Sequence, residues 1–206
     1  MPTNVSRPPI PSEIVAVSRR DRVRMVRLYI SAVVLAVVLG FGALVVFGLP
    51  LQKSIEANGH LSTAVGDYAR GDLSAAEREI RQAVSIKGDD YNARFDLGIV
   101  LLKEGHYDAA LAEFRQAEGV KKLPPPYLYA GVAALAMQRP DLARDEATGG
   151  LALAGQDPDI DAVLAMADQQ LGHSADATRA YASARASGYQ GQTVRGWIAQ
   201  ASLAQD

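Results

Sequence analysis

The side chains whose type and grouping could bind a metal or move a proton are three histidines, His60, His106 and His173, and two acidic pairs, Asp89 with Asp90 and Asp157 with Asp159. A metal site needs three or four ligands converging on one point, and these histidines are dispersed along the chain. Acid/base work needs carboxyls set against a substrate in contrasting environments, whereas acids flanking turns are explained by capping the helices that follow. The chain has no cysteine, which excludes disulfides, zinc-thiolate sites, iron-sulfur clusters and covalent haem attachment. It carries no G-x-S-x-G nucleophile elbow and no glycine-rich phosphate loop. No catalytic residue, metal, cofactor or small-molecule substrate is therefore expected.

The elements around these residues explain them better. Ala64, Gly98, Gly131 and Ala165 are separated by 34, 33 and 34 residues, and twelve residues after each comes an alanine: Ala76, Ala110, Ala143 and Ala177. Ile80, Phe114, Ala147 and Tyr181 follow four further on, then Ala83, Ala117, Gly150 and Ala184. A repeat of this length is one helix pair, which cannot bury its apolar face alone and must dock on its neighbours. His106 and His173 hold the same place in their repeats, between the two helices, so they belong to the scaffold.

These columns resemble the tetratricopeptide repeat (TPR) family over about residues 57–190. The second unit carries the resemblance best, with Leu97 and Gly98 in its first helix, Tyr107 and Ala110 opening its second, and Phe114 and Ala117 closing it. Small residues let the paired helices approach, and Phe114 and its counterparts fill the space between pairs. Gly71, Gly105 and Gly172 stand at equivalent turns, where a helix ends in a left-handed conformation. The third unit departs, with Gln138, Arg139 and Pro140 at its turn and Ala147 in the bulky column. Gly149 and Gly150 each cost up to about 1 kcal/mol of helix propensity there, which predicts the loosest unit. The resemblance implies an all-α, right-handed solenoid of four pairs (57–90, 91–123, 124–157 and 158–190). Residues 191–206 are expected to form a capping helix with Val194, Trp197, Ile198 and Ala201 on one face.

Before the repeats, Leu28 to Leu51 runs 24 residues without a charge. At 1.5 Å per residue that is roughly 36 Å of helix, enough to cross a hydrocarbon core of about 30 Å. A cleavable leader would have a shorter apolar core, so residues 28–51 read as a signal anchor in contact with the lipid bilayer. Five arginines lie between positions 19 and 27, against Lys53 and Arg70 in the twenty residues beyond the apolar run. Positive residues stay cytoplasmic, which predicts a single-pass protein with residues 1–27 as a disordered basic cytoplasmic tail and the repeats outside. The Ala, Arg and Gly richness suggests a bacterium, hence the inner membrane and the periplasm. Ala32, Ala36 and Gly40 fall four apart and offer a strip for another spanning helix.

The net charge of −2 hides an asymmetry: beyond residue 51 there are 15 basic and 21 acidic residues, a net of −6. A mildly acidic body without a basic stripe excludes nucleic acid as a partner.

In the TPR family ligands lie on the first helix of each pair. The matching positions here are Leu61, Val65, Tyr68, Asn92, Phe95, Ile99, Leu102, Lys103, Leu128, Val132, Leu135 and Met166. Members that clamp a chaperone's C-terminal carboxylate carry Lys and Asn where this chain has Phe95 and Ile99, which disfavours that ligand. The expected function is a non-enzymatic scaffold or assembly factor that binds apolar segments of membrane or periplasmic proteins. Residues 52–56 read as a short linker, which would keep such partners near the membrane. The layout is similar to the ancillary TPR subunit of the bacterial translocon and to membrane-anchored TPR assembly factors of cytochromes and dehydrogenases. The alternatives are an accessory subunit of a respiratory, photosynthetic or secretion complex held by its spanning helix, and a lipid or small-molecule carrier.

Overall fold

The computed structural model of the chain describes residues 19–189 together with Val194 and Gly196. The expected disordered tail therefore lies outside the described residues up to position 18, but its remainder, residues 19–27, is helical and continuous with the apolar run. Most of the expected capping helix, including Trp197, Ile198 and Ala201, also lies outside the described residues. Two compact units divide at Leu51 and Gln52.

The first unit contains helix α1 (Arg19–Ala43), a π-helical turn (Leu44–Gly48) and the start of α2 (Leu49–Ala69). Its described large apolar side chains, among them Leu28, Tyr29, Val46 and Leu51, are exposed. By length and composition this helical run qualifies as a membrane span. Ala32, Ala36 and Gly40 are exposed on α1, and a Cβ added at Gly40 would meet no atom within 4 Å.

In the second unit the rest of α2 leads into α3 (Leu73–Ile86), and three further pairs follow. These are α4 (Tyr91–Lys103) with α5 (Tyr107–Val120), α6 (Pro124–Ala136) with α7 (Pro140–Ala154), and α8 (Pro158–Gln170) with α9 (Ser174–Ala186). Residues 52–56 lie inside α2, so the helix runs on through the stretch read as a linker. Helices α5, α7 and α9 pack on their own partners, α3, α5 and α7 pack on the first helix of the next pair, and α4, α6 and α8 also touch in succession.

The acids singled out above sit where their chemistry suits the backbone. Asp90 caps α4 by accepting from the Asn92 and Ala93 amides, and Asp157 caps α8 by accepting from Asp159 and Ile160. Asp72 does the same for α3 through Ala75.

The turns between paired helices share one closing geometry. Gly71, Gly105 and Gly172 have φ of 80°, 81° and 79°. The amide after each donates to the carbonyl five residues back: Asp72 to Asp67, His106 to Leu101 and His173 to Asp168. The third turn keeps the pattern, Arg139 to Ala134, although Gln138 must take φ of 57° to do so.

The small columns are close-approach sites. A Cβ on Gly98 would lie 2.5 Å from the Phe114 ring, and one on Gly131 would lie 2.7 Å from Val163. The expectation that the third unit is the loosest is overturned. Every residue of α6 from Ala130 to Ala136 is buried, as is Ala147 of α7. Gly149 and Gly150 admit Tyr127 and Ile160 so closely that an added Cβ would stand 3.0 Å from them. Val194, helical in the described residues, is buried in the same core.

Candidate functional site

The first helices of the first three pairs enclose a cavity of about 340 Å³. Leu61, Val65 and Tyr68 reach it from α2, Phe95 and Ile99 from α4, and Tyr129 from α6, over a floor that includes Ala64, Ile80 and Val100. Nearly all of this lining is apolar because the positions repeat at i, i+4 and i+7 along helices whose opposite faces make the core. Phe95 is the hub of its far wall. Its ring stacks on Tyr91 at 5.9 Å and meets Phe114 at 5.8 Å and Tyr129 at 5.6 Å, tying α4 to α5 and α6. Val65 is the most open residue of the wall, at 65% exposure.

Five residues expected on the partner surface are thus brought together: Leu61, Val65, Tyr68, Phe95 and Ile99. Lys103 stands beside them, with its ammonium 5.0 Å from the centre of the Tyr68 ring. Asn92 is exposed, and Leu128 and Met166 are half-buried against the core. Leu102, Val132 and Leu135 are buried in the core and cannot contact a partner. They fail because α4 and α6 are covered on two sides, by their own pair and by the next first helix, so part of the apolar stripe is consumed within the chain.

Two wall residues went unread in the sequence. Tyr129 stands one position beyond Leu128, and Asp96 follows Phe95. Asp96 had a signal: Asn92, Asp96, Ile99 and Lys103 fall on one stripe of α4 at intervals of four, three and four. Burial raises the Asp96 carboxyl above the usual range, and the like charge of Asp90 raises it further. Burial likewise raises Tyr129, helped by the charge of Asp159.

Elsewhere, Asp168, His173 and Asp176 offer three ligand atoms within 4.8 Å of one another. Their charges are already answered by the protein. Asp168, 2% exposed, accepts from Arg144 Nε at 2.8 Å and lies 3.4 Å from His173 Nδ1, while Arg179 pairs with Asp176. Two guanidinium groups at the cluster compete with a metal cation for both carboxylates. Among the described residues nothing else assembles ligands for a metal, and the cavity lining holds no Ser, Thr, Cys, Lys or His.

Four helix pairs of this length, closed by the same turn and stacked through small-residue columns, define the fold of a TPR solenoid. Solved structures agree. A crystal structure of MamA protein superimposes with a TM-score of 0.63 at 15% identity, over 73% of this chain and 82% of that one. PilF of Pseudomonas aeruginosa gives 0.61 at 20% identity, over 80% and 86%. The first TPR of Spaghetti (RPAP3), bound to the HSP90 peptide SRMEEVD, gives 0.55 at 14% identity, over 58% and 95%. In sequence, 57 residues are 39% identical to intraflagellar transport protein 70B of Rattus norvegicus, a match spanning 24% of this chain and 9% of that protein. No family model matches the chain.

Proposed function

We propose that the chain is a non-enzymatic protein-interaction scaffold whose partners dock in the cavity between α2, α4 and α6. The observation that supports this is the cavity itself: an open, apolar trough of about 340 Å³ on the face where solenoids of stacked helix pairs present their first helices. Apolar surface left open in a folded domain is costly unless a partner covers it. The exposed apolar run 28–51 supports membrane anchoring, and the arginines before it support a cytoplasmic N-terminus with the repeats in the periplasm. An assembly factor or chaperone for envelope proteins fits this combination.

Co-purification of the tagged full-length protein in mild detergent, beside a Val65→Arg variant, tests the reading. Val65 is exposed, so the arginine blocks the trough without entering the core, and circular dichroism should be unchanged. Loss of a partner set with the variant is expected. Retention of every partner moves the contact elsewhere, and the open Ala32/Ala36/Gly40 strip on α1 would then favour an accessory subunit held by its spanning helix.

A further inference from the structure

The cavity has one acidic side chain among its lining residues, Asp96, set in a wall that is otherwise aliphatic and aromatic. The charges acting on it have the wrong sign to satisfy it. Asp90 repels it, and Asp159 adds negative charge beside Tyr129 on the same wall. The cations nearby in sequence are directed elsewhere: Arg94 forms its ion pair with Glu113 at 2.8 Å, Lys87 is bonded to Asp90, and Lys103 lies over Tyr68. A carboxylate in a half-buried apolar wall is stabilised most by an incoming cation that also brings apolar surface. The rings of Phe95 and Tyr129, which line the cavity and meet edge to face at 5.6 Å, supply aromatic surface that favours the same kind of group.

We propose that the occupant of this cavity is a protein segment that places a bulky apolar side chain in the trough and an adjacent Lys or Arg on Asp96. This rests on the docking reading of the same cavity and adds the sign of the partner. Size agrees: the volume falls at the small end of the range for pockets that enclose specific groups, roughly 300–1,000 Å³, and so suits one or two side chains rather than a whole folded surface. An acidic segment is rejected by Asp96, the acid in the cavity lining, and rejection of like charge contributes to choice of partner beside attraction.

The test uses an array of synthetic, acetylated and amidated dodecapeptides, each with two bulky apolar residues four apart and Lys, Arg, Gln or Glu beside one of them. Binding is read by fluorescence anisotropy on the full-length protein in detergent, with Val65→Arg, Asp96→Asn and Asp96→Lys in parallel. Peptides whose binding is lost in Val65→Arg define docking in the trough. Among these, Lys and Arg members should bind roughly tenfold tighter than Glu members. The preference should vanish in Asp96→Asn and invert in Asp96→Lys. Asp96→Asn removes a buried charge and keeps its shape, so this variant folds. Trough-dependent binding with no preference for charge overturns the inference and leaves the docking reading standing. Absence of any trough-dependent peptide overturns both.

Discussion

At the residue scale, the carboxylates carry no catalysis in this reading, but they do govern how stability responds to pH. Glu118 Oε1 is buried without a hydrogen-bond partner among the described residues. Burial, then the neighbouring charge of Glu146, raises its carboxyl from 4.5 to about 7, with Arg115 opposing. The folded state therefore holds this proton between pH 4.5 and about 7, where the unfolded chain has released it. Stability contributed by Glu118 is full below the lower value, declines as pH rises to about 7, and is gone above it. Glu118→Gln keeps the shape without the charge. It should remove this slope and raise the melting temperature at pH 8 by roughly 2–4 °C, equivalent to about 1 kcal/mol; an unchanged slope would assign the pH response to another group. Gly98 makes a second case. Alanine gains about 1 kcal/mol of helix propensity. Its Cβ, however, would lie 2.5–2.9 Å from three atoms of the Phe114 ring, which is fully buried and locked by Phe95 and Tyr129. Overpacking of that kind costs about 1–3 kcal/mol, so Gly98→Ala should lower the melting temperature by several degrees despite its better propensity. A rise would mean that α4 and α5 can separate freely.

At the element scale, the repeat was legible because each column answers a demand that recurs in every pair: small where helices cross, left-handed where they turn. Gln138 tests that demand. It holds φ of 57° in a turn whose counterparts at Gly71, Gly105 and Gly172 need no Cβ. Gln138→Gly relieves about 1–2 kcal/mol of left-handed strain and loses about 0.5–1 kcal/mol to the freer unfolded chain. A gain on the order of 0.5–1 kcal/mol in denaturant unfolding is expected, and a loss would show that the glutamine side chain holds the turn by some other contact. Less of the third unit was legible. Gly149 and Gly150 carry a propensity cost that is visible in sequence, but their advantage depends on Tyr127 and Ile160 arriving from elsewhere, and no local pattern announces that. The same limit governed the trough. Apolar periodicity marks a helix face without telling which edge the next helix covers, so Leu102, Val132 and Leu135 read like Ile99 although they are core. Asp96 is a lone charge within an apolar stripe, and apolar periodicity does not mark such a residue.

At the scale of the whole molecule, the uneven distribution of charge becomes a statement about topology. Six of the 21 basic residues precede position 28, and the chain beyond the apolar run has a net charge of −6. The membrane potential and the insertion machinery act on the arginines flanking the run much more than on the acidic body. The predicted orientation therefore depends on Arg19, Arg20, Arg22, Arg24 and Arg27. The absence of cysteine makes this directly measurable, since one introduced thiol is the sole target of a membrane-impermeant maleimide. Gln82 is exposed on α3, so Gln82→Cys should be labelled in cells whose outer membrane alone is permeable. Ser6→Cys should be labelled only after lysis. Replacing the five arginines by glutamine should reduce or reverse that difference while leaving the fold of the repeats intact, because none of them lies in the repeat unit. Labelling of Ser6→Cys in intact inner membranes would place the repeats in the cytoplasm, and a partner search would then have to begin with cytoplasmic proteins. Equal labelling of both sites without lysis would mean that residues 28–51 do not hold a fixed orientation.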